Sequence, residues 1–179
     1  MKLIFTFCLL IPVVVQAQST DTVRWTTITQ PDFSIQYPSD WALDNSGKMC
    51  TQYFFFSPKE SDTDLFRDNV NLMVQDLTGY NMDLKAFAAL SEDQIKTLMI
   101  NGQILESGPL QSGNITCHRI LFTGDQGTYH LKFEQYYFVR ENLAYVLTLT
   151  CEIEKFEKFK STGERILNSF SLQAEPVKE

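Results

Sequence analysis

Two histidines, one carboxylate-rich loop and three internal cysteines are the residues of this chain whose chemistry could run a reaction or hold a metal. The loop Ser61-Asp62-Thr63-Asp64-Leu65-Phe66-Arg67-Asp68 places three carboxylates in seven residues. Brought within reach of His118 or His130, Asp62, Asp64 or Asp68 would make a carboxylate-based hydrolase. As a calcium loop the segment fails, because Phe66 stands where an oxygen ligand is needed and Arg67 replaces the turn glycine. Cys117 and His118 are strand neighbours, so they point to opposite faces and cannot serve as nucleophile and base. A turn near Gln126 sets His118 opposite Gln135 and His130 opposite Thr123, which keeps the histidines apart. No nucleophile elbow, P-loop or dinucleotide fingerprint is present, and the cysteine spacings match no zinc signature. The sequence therefore names no catalytic residue, no metal and no cofactor.

The first residues carry an address. Lys2 precedes an apolar run from Leu3 to Val15, and Val15-Gln16-Ala17 supplies small residues at the −3 and −1 positions of a cleavage site. The expected leader is 1–17, with cleavage near Ala17 and a periplasmic or secreted product. The run is too short to span a hydrocarbon core of about 30 Å, which takes roughly 20 residues, so the mature chain is not expected to insert in a membrane. The full chain has 15 basic and 22 acidic residues, a net charge of −7, and loss of Lys2 makes it −8. With no basic cluster against that balance, nucleic acid is disfavoured as a partner. Export also makes Cys50, Cys117 and Cys151 relevant as disulfide formers. A hairpin about Glu141-Asn142 pairs Arg140 with Leu143 and Cys151 with Lys132, which favours Cys50–Cys151 over other pairings; the alternative is three buried free thiols.

These residues have to be positioned by strands and two helices. Trp25 to Tyr37 alternates about a turn at Gln30-Pro31-Asp32, Met49 to Phe56 is an aromatic strand, and Asn69 to Leu77 alternates again. After Asn81 or Asp83 as N-cap, Leu84, Phe87, Ala88, Ser91, Ile95 and Leu98 recur at three and four, one face of a helix ending near Asn101-Gly102. Strands at Ile115–Thr123, Thr128–Arg140 and Leu143–Cys151 form a meander. Phe156, Phe159, Gly163, Ile166, Leu167 and Phe170 mark a second helix, with Gly163 allowing close approach to the sheet, and a polar tail starts at Gln173. Residues 18–172 are expected to form one α+β domain in which helices cover an antiparallel sheet.

The aromatic excess is the remaining signal. Tyr53 to Phe56 and Tyr136-Tyr137-Phe138 put rings on both faces of their strands. Either helices cover them all, or an uncovered face around Trp41, Tyr53, Phe55 and Tyr136 binds a protein or a small apolar ligand.

The segments Phe33 to Trp41 (FSIQYPSDW), Phe66 to Leu77 (FRDNVNLMVQDL), Tyr145 to Thr148 (YVLT) and Ile166 to Phe170 (ILNSF) together resemble the PsbP-like proteins, the superfamily of PsbP, Mog and DcrB. The resemblance covers nearly the whole mature chain. It implies an α-β-α sandwich about a mostly antiparallel central sheet flanked by two main helices. It also implies action by binding rather than catalysis, here on an unknown protein partner in the cell envelope.

Overall fold

A computed structural model describes residues 23–113 and 115–173. The expected leader, 1–17, and the tail from 174 onward lie outside the described residues. Strands β1 (Trp25–Thr29) and β2 (Phe33–Pro38) form the hairpin expected about Gln30-Pro31-Asp32. Then come β3 (Ala42–Asp44), β4 (Tyr53–Phe56), β5 (Asn69–Asp76), α1 (Leu84–Leu98), β6 (Ile100–Ser112), β7 (Ile115–Gln126), β8 (Tyr129–Arg140), β9 (Leu143–Glu152), α2 (Phe156–Asn168) and the short β10 (Ser171–Leu172). Seven strands make one antiparallel sheet in the order β3-β4-β5-β9-β8-β7-β6, and β1, β2 and β10 make a second.

Local chemistry sets the boundaries. Asp83 caps α1 by accepting a hydrogen bond from the Ala86 N–H at 2.8 Å. Glu141 and Asn142 both lie at positive φ, 52° and 62°, the backbone a two-residue hairpin needs, so Arg140 faces Leu143 and Cys151 faces Lys132 as expected. The β7–β8 turn is Gly127-Thr128, with Gly127 at φ 63°. That centre lies about one residue beyond the one expected, and a shift of one residue in a turn moves the register by two. His118 therefore faces Tyr137, and His130 faces Asp125.

The period of two sorts each strand's side chains between two cores. On one face Tyr53, Phe55, Val70, Leu72, Tyr136, Phe138, Tyr145, Leu147 and Leu149 pack under α2 and the β1–β2 hairpin, through Phe156, Ile166, Leu167, Phe33 and Ile35. On the other face Ile120, Phe122, Phe133 and Tyr137 pack under α1, through Phe87 and Ile95. Helices on both faces of an antiparallel sheet make the α-β-α sandwich.

The structure departs from expectation at β6 and in the cysteines. The 13-residue β6 occupies a stretch punctuated by Gly102, Gly108 and Pro109, residues that read as turns. It is tolerated because β6 is an edge strand, and its pairing with β7 slips between Ile100 and Gln103 and again between Ile104 and Glu106. The Cys50–Cys151 disulfide is not formed. All three described cysteines are free; Cys50 is exposed in a tight turn at φ 59°, whereas Cys151 points into the α2-side core.

Gly163 sets the separation between α2 and the sheet, because a Cβ there would lie 2.6 Å from both terminal methyls of the fully buried Leu149. Gly163→Val is expected to cost about 2 kcal/mol or more by overpacking. Leu149→Ala should cost less in the Gly163→Val background than in the wild type, a non-additivity read by urea unfolding.

Candidate functional site

The four aromatics expected to mark a binding face are core residues. Trp41, Tyr53, Phe55 and Tyr136 are at most 7% exposed, and all belong to the cluster under α2. Tyr53 and Phe55 stack at 6.1 Å, Trp41 meets Phe159 of α2 edge-on, and the Tyr53 hydroxyl accepts a hydrogen bond from Gln30 Nε2 at 2.8 Å. The correction is one of parity along the strand. Their neighbours Phe54 and Phe56 occupy the opposite face and are only half-buried.

That opposite face is where the sheet is incompletely covered. α1 packs on β6, β7 and β8. Beside it, the residues of β4, β5 and β9 on the same face line an open groove. One part, about 350 Å³, runs along α1 between Ser91, Ile95, Leu98 and the strands. The other, about 430 Å³, extends toward β4 and the turn at Lys48–Cys50. Both are lined by Asn71, Met73, Met99, Phe122, Gln135 and Thr148, so they form one continuous depression.

The floor follows from strand alternation. On β5, Val70, Leu72 and Val74 enter the α2-side core, which turns Asn69, Asn71, Met73 and Gln75 to the groove. On β9, Leu147, Leu149 and Cys151 do the same and leave Val146, Thr148 and Thr150 facing out. Asn71, Thr148 and Gln135 stand in a row across three strands. Gln135 donates to Thr148 Oγ1 at 3.0 Å, and its carbonyl oxygen accepts from the Tyr137 hydroxyl. Burial pushes the Tyr137 phenol far above its ordinary range, so it acts as a neutral donor. Asn69 Nδ2 donates to the Arg67 carbonyl at 2.9 Å, which fixes the amide's orientation, and among the described residues Oδ1 has no hydrogen-bond partner.

The electrostatics of the lining differ from those of the chain. Among the groove's lining residues the one charged group is Lys48, held 2.5 Å from Asp44; no Asp, Glu, His or Cys lines it. Such a surface offers amides, hydroxyls and apolar contact.

Most of the residues considered for a hydrolase are engaged by partners of their own. Asp64 is 2.7 Å from the Lys155 ammonium, with Glu152 at 2.7 Å, Glu60 at 3.7 Å and Asp68 at 3.9 Å. The acidic loop is thus closed on a lysine. Burial alone would lower the Lys155 pKa, but its bonds to Asp64 and Glu152 outweigh that and raise it. Asp62 is exposed at the loop surface. His130 pairs with Asp125 at 2.7 Å on the β7–β8 hairpin, where the carboxylate raises its pKa. His118 Nε2 lies 2.8 Å from Ser107 Oγ, and Ser107 also bonds Glu92 of α1. This trio is wired the wrong way for a nucleophile. With the serine proton given to Glu92, Nε2 donates to Oγ and cannot act as the base that activates it.

A second buried charge lies under α2. Glu134 is fully buried, 2.5 Å from Arg119 Nε, and Arg119 also reaches Glu106 at 2.5 Å. Among the described residues Glu134 Oε2 has no hydrogen-bond partner. Burial raises the Glu134 pKa and outweighs the opposing effect of Arg119.

The architecture is an antiparallel sheet between two helices, with one face half open. The chain belongs to the PsbP-like protein family, whose sequence profile matches residues 14–172. No curated protein matches it in sequence. Solved structures with the same fold include LpqN, described as involved in cell envelope biogenesis of Mycobacterium tuberculosis, at 11% identity and TM-score 0.62 over 86% of this chain and 93% of that one. Cyanobacterial PsbP (CyanoP) from Synechocystis aligns at 10% identity and TM-score 0.58, over 89% of this chain and 99% of that one. The Saccharomyces cerevisiae Ran-binding protein Mog1p aligns at 9% and 0.55, over 84% and 96%.

A pH prediction follows from Glu134. A carboxyl whose folded pKa is raised binds more protons in the folded state, so its contribution to stability falls as pH rises from the ordinary value of 4.5 through the raised one. Glu134→Gln is expected to flatten that slope in urea unfolding measured across the acid-to-neutral range. A slope identical to wild type would show that Glu134 is not the group responsible.

Proposed function

We propose that this chain is an exported, non-catalytic binding domain that engages a protein partner through the groove beside α1. The single observation that carries the reading is the half-covered sheet face, a continuous depression floored by Asn71, Met73, Gln135 and Thr148. Export, to the periplasm or the outside of the cell, rests on Lys2, the apolar run to Val15 and the small residues before Gln18. Among the described residues no helix is long and apolar enough to cross a membrane. The relatives support a binding role in kind: one is named for binding Ran and another for envelope biogenesis, and this chain's own partner is expected in the cell envelope.

Carriage of a small apolar ligand is the second reading, and the 350 Å³ between α1 and the sheet, within the usual range of ligand sites of about 300–1,000 Å³, is what favours it. The groove's continuity toward β4 favours an extended partner.

Asn71→Arg places a long cation on the floor at a half-buried position and is expected to leave the circular dichroism spectrum and unfolding midpoint near wild type. Capture of the partner from the envelope fraction, quantified by mass spectrometry, should fall about tenfold or more, equivalent to 1.4 kcal/mol. Ser161→Arg, on α2 on the far side of the sheet, should leave capture unchanged. Equal capture by all three proteins would reject the groove. Export is checked separately: intact-mass analysis of the exported chain should place its first residue at Gln18.

A further inference from the structure

We propose that the groove accepts an uncharged extended peptide segment of its partner and rejects segments that bring a carboxylate, an ammonium or a guanidinium onto its floor; this rests on the groove being the binding site.

The first observation is the distribution of charge. Acidic residues outnumber basic ones by 22 to 15 in the chain, yet no carboxylate lines this depression, and its lone cation, Lys48, is already paired with Asp44. A charged side chain laid on the floor would lose water and find no counter-charge, which is far costlier than burying an amide. A neutral segment escapes that cost.

The second observation is the kind of polar group on offer. Asparagine, glutamine and threonine side chains present donors and acceptors side by side, as a peptide backbone does, so Asn71, Gln75 and Thr148 can pair with successive N–H and C=O groups of an extended chain.

The third observation decides against a flat ring as the preferred ligand. Phe54 and Phe56 lie parallel at 5.3 Å with the Lys48 ammonium within 5.3 Å of both centroids, and the Arg67 guanidinium is 5.1 Å from Phe56. Phe122 and Phe133 stack on each other at 4.7 Å. These rings already serve one another and two cations, so they make a poor stacking platform for a sugar or a nucleobase. Met49, Met73 and Met99 supply much of the remaining apolar lining beside Ile95, Leu98 and Val146, and unbranched thioethers adapt to side chains of differing shape.

The test is selection of a random phage-displayed 12-residue peptide library on the folded protein, with counter-selection on Asn71→Arg. Enriched segments are then titrated into isotope-labelled protein and followed by amide chemical shifts. Enriched peptides are expected to be depleted in Asp, Glu, Lys and Arg by about threefold or more against the input library. Their largest shifts should fall on Asn71, Met73, Gln135 and Thr148, and replacing a central neutral residue by Glu or Lys should weaken binding about tenfold. Enrichment of peptides as charged as the input library, shifts confined to other surfaces, or no enrichment over Asn71→Arg would each overturn the proposal. If the proposal fails while Asn71→Arg still abolishes partner capture, the groove stands and only the chemistry of its occupant is wrong. If capture is also unaffected, the groove itself is rejected.

Discussion

A helix about 10 Å wide covers only two or three strands spaced about 4.8 Å apart, and this limit governs the molecule. A seven-stranded sheet has two faces, and one helix for each cannot close them. On one face the deficit is met by the β1–β2 hairpin, which lies beside α2 and brings Phe33 and Ile35 into the same core. On the other face α1 stands over β6, β7 and β8 without a companion, and β5 and β9 beside it carry Asn, Gln, Thr and Met with one valine, Val146, while β4 adds Phe54 and Phe56. That half-face mixes amides and hydroxyls with thioethers and rings. An aliphatic floor there would leave a contiguous apolar patch in water.

Much of the fold was legible because its signals are periodic and local. The alternation of Val70, Leu72 and Val74, the Asp83 cap, the Phe87–Ile95 spacing and the Glu141-Asn142 turn each act within a few residues, and each element formed where its pattern lay. Strand β6 was not legible, since Gly102, Gly108 and Pro109 carry turn propensity and only the neighbouring β7 holds the segment extended. Leu98 shows the limit of periodicity in the other direction. It falls on the apolar stripe of α1, yet the helix has run past the core by then and leaves it 76% exposed.

The site was half legible. That rings alternate between the two faces at Tyr53–Phe56 follows from strand geometry, but which face a helix and a hairpin would both cover is a tertiary fact. Tyr53 and Phe55 fall on the covered face, and Phe54 and Phe56 on the partly open one. A usable signal was present in β5 and β9, where Val70, Leu72 and Val74, and Tyr145, Leu147 and Leu149, alternate with Asn69, Asn71, Met73 and Gln75, and with Val146, Thr148 and Thr150, a stretch without a charge. An ordinary solvent-facing strand in an acidic protein would carry charges at those positions. The Lys155 hub and the Glu134–Arg119 pair were invisible because their members lie 15 or more residues apart, apart from the local Glu152–Lys155 contact.

The buried thiols carry a kinetic consequence. Once the sheet has closed, Cys117 and Cys151 are wholly shielded, and burial raises both thiols, Cys117 to about 11, so the thiolate that oxidants attack is scarcely populated. The hazard of oxidation to these two residues is confined to the interval between synthesis and closure of the core. Folding speed, more than any pairing of cysteines, then decides how much of the protein escapes oxidation, with Cys50 left as the one described thiol exposed to solvent afterwards.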